Sequence, residues 1–242
     1  KFDFTPSPEL VEAGHRLHAV LGTRSVLLFA STREGEEAVL VDAFVRHVPT
    51  DALLLLVPRH PQRFESIAAE LAARKLATQR RSADEAIAPH TRVLLGDSMG
   101  EMFAYYAAAD VALIGGSWLP FGGQNLIEAC AVGTPVVVGP HTFNFQAVAE
   151  DAVRAGAALR AGVAEAGMQA ALALLADDAA RARLGAAGRA FATTHQGATA
   201  RSISILDNLH QALRRRRPGK APRDMVAKRY EKEIADEVRR QY

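Results

Sequence analysis

Two arginines, three glutamates and a set of paired glycines are the groups in this 242-residue chain whose chemistry suits a phosphorylated sugar. Arg33 and Arg59 each follow a short apolar run, and a guanidinium offers planar, paired N–H donors to a phosphate. In Val57-Pro58-Arg59-His60-Pro61 two prolines stiffen the backbone, so Arg59 has little freedom left to lose on binding. His60 could titrate near neutrality or serve as a hydrogen-bonded structural residue. Glu34, Glu101 and Glu128 each stand three residues after Ser31, Ser98 or Asn125. That is capping-box spacing, or close to it for Asn, and a cap alone explains the first two pairs as well as a ligand does. The third loop says more. Gly115-Gly116-Ser117 and Gly122-Gly123-Gln124 bracket it, and glycine permits the positive φ and close backbone approach that other residues resist. Free N–H groups at the following helix N-terminus suit a phosphate. Glu128 is a poor phosphate neighbour but a good acceptor for two sugar hydroxyls, which predicts a ribose contact.

These residues need a scaffold that brings them to one edge. Ser25–Ala30, Ala52–Val57, Val93–Leu95, Val111–Ile114 and Pro135–Val138 are continuous apolar runs ending in polar turns, the pattern of buried parallel strands. Lys75–Thr78 is a weaker strand candidate. Helical patterns at about 8–20, 35–48, 62–74, 99–109, 125–132 and 144–155 alternate with them, which predicts an α/β parallel sheet covered on both faces. In such a sheet ligands sit beyond the carboxyl ends of the strands, where all three loops fall. From about 164 the pattern is helical only and runs to Leu213, with Gly185 and Gly188 as expected interruptions. Arg214-Arg215-Arg216-Arg217-Pro218-Gly219 then signals a linker, and Val226, Tyr230, Ile234, Val238 and Tyr242 form one stripe on a possible last helix.

Composition is that of a compact soluble protein, with 49% hydrophobic and 23% charged residues. No apolar run is long enough to span a bilayer, and the start lacks signal-peptide order, reading instead like the middle of a longer chain. The single cysteine, Cys130, is expected as a small buried apolar residue in a reducing compartment. Net charge is +2, but residues 214–242 carry 11 Lys+Arg against 5 Asp+Glu, so the tail is basic and the body mildly acidic. A basic tail touches an anionic surface or is merely solvated. Zinc-ligand spacing, a Walker phosphate loop and a Gly-x-Gly-x-x-Gly after the first strand are all missing, which argues against zinc, ATP and NAD.

The motifs Ser31-Thr32-Arg33-Glu34-Gly35-Glu36-Glu37, Val57-Pro58-Arg59-His60-Pro61-Gln62-Arg63-Phe64, Gly96-Asp97-Ser98-Met99-Gly100-Glu101, Gly115-Gly116-Ser117, Gly122-Gly123-Gln124-Asn125 and Gly139-Pro140-His141-Thr142-Phe143-Asn144-Phe145 together resemble 3-deoxy-D-manno-octulosonic acid (Kdo) transferase. The likeness covers residues 1–205 and that family's C-terminal half. It implies a Rossmann-like donor domain of a two-domain GT-B glycosyltransferase at 25–213, preceded by an interdomain lead-in at 1–24 and followed by a basic, candidate helical tail at 214–242. It implies CMP-Kdo contacts at Pro58, Arg59, Met99, Gly100, Glu101, Asn125, Leu126, Ile127 and Glu128, to which the residue reading adds Arg33 as a donor-phosphate contact; no metal or cofactor is expected if the arginines and helix N-termini supply the charge. It also implies a lipid A precursor as acceptor, bound by an N-terminal domain that holds the general base, so that this chain carries no catalytic residue of its own. The expected place is the cytoplasmic face of the bacterial inner membrane, with a membrane surface rather than nucleic acid as the further partner. Ser117-Trp118-Leu119-Pro120-Phe121 is apolar for a sugar cleft; it faces lipid, faces the other domain, or packs on its own. Two other functions stay open: a UDP-sugar transferase of the same architecture, and a stand-alone nucleotide-binding module whose tail recruits a partner.

Overall fold

A computed structural model describes residues 5–195, 203–208 and 210. The chain divides into two compact units: residues 4–194, and residues 195–242 with 1–3. Of the second, the described part includes a helical stretch at 203–208; the expected linker and tail at 214–242 lie outside the described residues.

The first unit is built on seven parallel strands: β1 (Val26–Thr32), β2 (Leu53–Pro58), β3 (Thr78–Arg80), β4 (Val93–Leu95), β5 (Val111–Ile114), β6 (Val136–Val138) and β7 (Leu159–Arg160). Their spatial order is β3-β4-β2-β1-β5-β6-β7. From β1 the chain moves to β2, crosses to the edge as β3, inserts β4 between those two, and then returns to lay β5 against the other side of β1. The helices are α1 (Pro8–Val20), α2 (Glu36–His47), α3 (Phe64–Ala73), α4 (Met102–Ala108), α5 (Ile127–Val132), α6 (Gln146–Arg154), α7 (Ala164–Leu175) and α8 (Asp178–His195). Among the described residues no helix is long and apolar enough to cross a membrane.

Continuous apolar runs form the central strands because both faces are covered. Leu27, Phe29, Leu54, Leu56, Val111 and Leu113 pack with residues of α2, α3 and α7, while the alternate positions Val26, Leu28, Ala30, Leu53 and Leu55 are also buried. Each of the Val, Leu and Phe side chains among them contributes about 1.5–3 kcal/mol relative to exposure.

Two expectations shift, and one strand was not anticipated. The weak strand candidate sits three residues later, at Thr78–Arg80, because Lys75 at φ 57° closes α3 instead of extending the chain. The edge strand β7 has only two residues and no apolar run to announce it. Gly185 and Gly188 do not interrupt their helix but lie inside α8, where a Cβ on Gly185 would stand 2.3 Å from the Gly133 carbonyl oxygen. Glycine there lets α8 close on the turn after α5; the helical break falls instead at Ala176-Asp177.

Candidate functional site

The chain reverses direction across the sheet between β1 and β5, so the crevice beyond their carboxyl ends is the place where an open parallel sheet holds ligands. The loops after β1, β2 and β5 meet there. Strand β1 slips register against β2 at Ser31, whose φ of 56° is rare for a residue with a side chain. Gly115, at the end of β5, fits against that kink only without a side chain: its Cβ would lie 2.4 Å from the Ser31 carbonyl oxygen. Gly122 and Gly123, both left-handed at φ 92° and 85°, then fold the loop back so that the Gly123 N–H donates to the Gly116 carbonyl at 2.6 Å. Ser117 is buried; its hydroxyl donates to the Ile114 carbonyl at 2.5 Å and accepts from the Gly139 N–H at 2.8 Å. Gln124 is half-buried beside Gly116.

Of the three capping pairs, none is a complete capping box. Helix α2 starts after Gly35 with no side-chain cap, Glu34 is exposed, and Ser31 lies within the strand. The Ser98 hydroxyl donates to the Glu101 carboxylate, yet Glu101 itself occupies the N-cap position of α4. That carboxylate also takes Arg81 Nη2 at 3.1 Å and the Tyr105 hydroxyl at 3.3 Å, so the exposed part of the loop is Met99-Gly100. Asn125 comes nearest to a cap: its Oδ1 accepts from the Ile127 N–H at 3.1 Å while its Nδ2 donates to Glu128 Oε1 at 3.3 Å. Leu126 and Ile127 are buried and anchor that turn.

The charged groups are arranged with opposite roles. Arg59 is exposed, its backbone N–H donates to the Thr32 carbonyl at 2.9 Å, and among the described residues it has no carboxylate at ion-pair distance. The preceding Pro58 is buried at the strand end. Burial pushes the Glu128 carboxyl above the usual carboxylate range, while the Asn125 hydrogen bond and the charge of Arg59 pull it partly back. Arg59 and Glu128 therefore feel one another across the crevice. Arg33 rests its guanidinium over the Phe121 ring, 4.7 Å from the centroid.

The apolar loop 117–121 packs largely on its own unit: Trp118 is 5% exposed with its ring against Gly167 of α7, and Leu119 lies beside Gly35. Pro120 alone is exposed in it.

Sequence reasoning gave no role to several groups that hold these loops. Glu37, 2% exposed, accepts both Nη atoms of Arg63, at 2.6 and 2.9 Å, and the Thr32 hydroxyl at 2.6 Å. This lock joins β1, α2 and the turn that carries Arg59. Asp97 accepts Arg80 Nε at 2.6 Å and the Ser82 N–H and hydroxyl at 2.8 and 2.6 Å. Burial alone would push its carboxyl up, but those bonds together hold it below the ordinary range. Glu36 is fully buried and accepts four backbone N–H bonds, from Arg33, Gly116, Trp118 and Leu119. Burial raises its pKa, which those bonds only partly offset. Acidic residues in a first helical turn gave no signal of this, since such residues are common there.

A family model described as glycosyl transferases group 1 matches residues 72–191. A 3-deoxy-D-manno-octulosonic acid transferase of Bordetella pertussis is 50% identical over 214 residues, which are 86% of this chain and 50% of that protein. The enzyme of the same name from Haemophilus influenzae is 36% identical, with 85% and 49% covered. Among solved structures, the C-terminal CMP-Kdo binding domain of WaaA from Acinetobacter baumannii superposes with a TM-score of 0.73 at 34% identity, covering 76% of this chain and 98% of that one. The chain spans about half the length of the curated relatives it matches.

Proposed function

Since the chain belongs to the Kdo transferase family and has the fold of a GT-B glycosyltransferase C-terminal domain, we propose that it is the donor-binding half of an inverting glycosyltransferase that moves Kdo from CMP-Kdo to a lipid A precursor. The observation that carries this is the pairing at the crevice of an unneutralised guanidinium, Arg59, with a carboxyl, Glu128, held in the first turn of α5 by Asn125. Arg59, with Arg33 held on the Phe121 ring, meets the phosphate. Glu128 accepts the two ribose hydroxyls, and Met99-Gly100 and Asn125 line the nucleoside, with buried Leu126 and Ile127 anchoring the turn beneath it.

In the reaction an acceptor hydroxyl oxygen bonds to the anomeric carbon from the face opposite CMP. The carbon–oxygen bond to phosphate breaks with its electron pair leaving on CMP, and the hydroxyl proton passes to a carboxylate outside these 242 residues. The work of this chain is to bind CMP-Kdo and to stabilise the charge that grows on the departing phosphate, through Arg33, Arg59 and the helix N-termini. That charge set supplies what a metal would otherwise supply, so the reading calls for no metal or cofactor. The acceptor is held by the other half of the protein, and the reaction takes place at the cytoplasmic face of the inner membrane.

Calorimetric titration of the chain with CMP and with UMP tests the reading. We expect saturable CMP binding and weaker or no UMP binding. A preference for UMP would move the chain to a UDP-sugar transferase, and no binding of either nucleotide would overturn the donor-site reading.

A further inference from the structure

We infer that Glu36 is a positioning residue whose carboxylate locks the loop after β1 to the loop after β5, and so sets Arg33 and the segment leading to Glu128 for the donor. This rests on the donor-site reading above and adds to it a residue that touches no ligand.

The geometry divides the carboxylate evenly. Oε2 accepts from the Arg33 N–H at 2.7 Å and the Gly116 N–H at 2.6 Å, one from each side of the crevice. Oε1 accepts from the Trp118 N–H at 2.8 Å and the Leu119 N–H at 3.4 Å. Gly116, Trp118 and Leu119 lie between β5 and α5, where no helix or strand ladder satisfies their N–H groups.

A buried carboxylate is costly, and among the described residues Glu36 has no Lys, Arg or His at ion-pair distance. Capping α2 does not require it, because Ser, Thr or Asn caps a helix without charge. What only a carboxylate offers is two oxygens that accept and never donate, enough for four N–H groups at once. Glutamine would turn an NH2 toward two of those donors.

From Gly116 the linkage continues through its carbonyl to the Gly123 N–H at 2.6 Å, next to Gln124 and Asn125. The same loop carries Phe121, the platform on which the Arg33 guanidinium rests at 4.7 Å. Glu36 therefore fixes the main chain of Arg33, and through loop 116–123 it fixes both the seat of that guanidinium and the approach to the Asn125–Glu128 turn.

The test uses Glu36→Gln and Glu36→Asp in the 242-residue chain, with Trp118, the chain's only tryptophan, as a built-in probe of the loop. In the parent its emission should be blue-shifted and resistant to acrylamide. In Glu36→Gln the emission should shift to the red and become quenchable, and the Kd for CMP should rise about tenfold or more. Glu36→Asp should fall between them, and both variants should still melt cooperatively. A Glu36→Gln chain with the parent's CMP affinity overturns the proposal, as does weaker binding with unchanged Trp118 emission. A parent that ignores CMP overturns the donor-site reading together with this one, which separates the two failures. Should neither variant fold, hydrogen exchange on the parent decides: the amides of Gly116, Trp118 and Leu119 should exchange about a hundredfold more slowly than that of exposed Glu34, and equal rates overturn the proposal.

Discussion

A carboxyl that is half-buried beside an exposed guanidinium without bonding to it is a group kept ready for something else. On that ground Glu128→Ala and Arg59→Ala should each raise the Kd for CMP about tenfold, the scale of a lost hydrogen bond to a charged group, with little change in melting temperature. Calorimetry and a thermal melt on each variant check this, and a variant that binds like the parent has been given the wrong role. Proton linkage adds a second expectation. Burial holds the Glu128 pKa above its ordinary 4.5, so the stability that its protonation contributes is complete below that value and is lost as pH rises through the folded pKa. Mild acidification from neutrality should therefore favour the free chain at this residue while removing the carboxylate that CMP needs. Asp97 has the opposite sign: its pKa is lowered, so its contribution is present above 3.8 and is lost as pH falls through the folded value. CMP titrations at pH steps from neutral to about 4.5 should show weakening that Glu128→Gln reduces; identical pH slopes in parent and variant would count against it. At this scale the placement of Arg59 just beyond a strand end was legible because prolines bracket it and an apolar run precedes it. Glu36 and Glu37 were not, because their roles depend on Gly116 and Arg63, 80 and 26 residues away in sequence.

Elements were legible where one period ran unbroken. The central strands are continuous apolar runs because helices cover both faces of the sheet, and that pattern survives in the sequence whatever the loops do. β3 and β7 escaped or slipped because polar edge strands of three and two residues carry no such run. Glycine inside α8 was misleading for a different reason: it signals a break by propensity, and here it marks a contact. The two helix glycines should respond differently to one methyl group. Gly185→Ala places a Cβ 2.3 Å from the Gly133 carbonyl oxygen and should cost about 1–3 kcal/mol as α8 is pushed off the turn after α5. Gly188→Ala meets nothing closer than 3.4 Å and should be neutral or stabilising by up to about 1 kcal/mol from helix propensity. Denaturant unfolding of the pair measures both; equal effects would mean that the close approach is not what selects glycine in α8.

At the scale of the molecule, the likeness to proteins of twice this length leads to a division of labour. The 242-residue chain should bind CMP and transfer no Kdo, and transfer should appear when the N-terminal half of the Bordetella pertussis relative is joined to it. Radiolabelled Kdo release onto a lipid A precursor checks both arms, and transfer by the chain alone would place the general base within it. The parallel order of the sheet could be anticipated from alternating strands and helices. That β5 inserts beside β1 could not, because nothing in a run of apolar residues names its neighbour. That insertion also has a history in time. The Val26 N–H waits for the Asp110 carboxylate, 84 residues later, and at ribosomal rates of about 5–20 residues per second β1 stands with one edge unpaired for roughly 4–17 seconds. During synthesis the nascent chain therefore displays an apolar strand beside an open ladder, and a chaperone that shields extended apolar segments has a defined interval in which to act, ending when Val111–Ile114 leaves the ribosome.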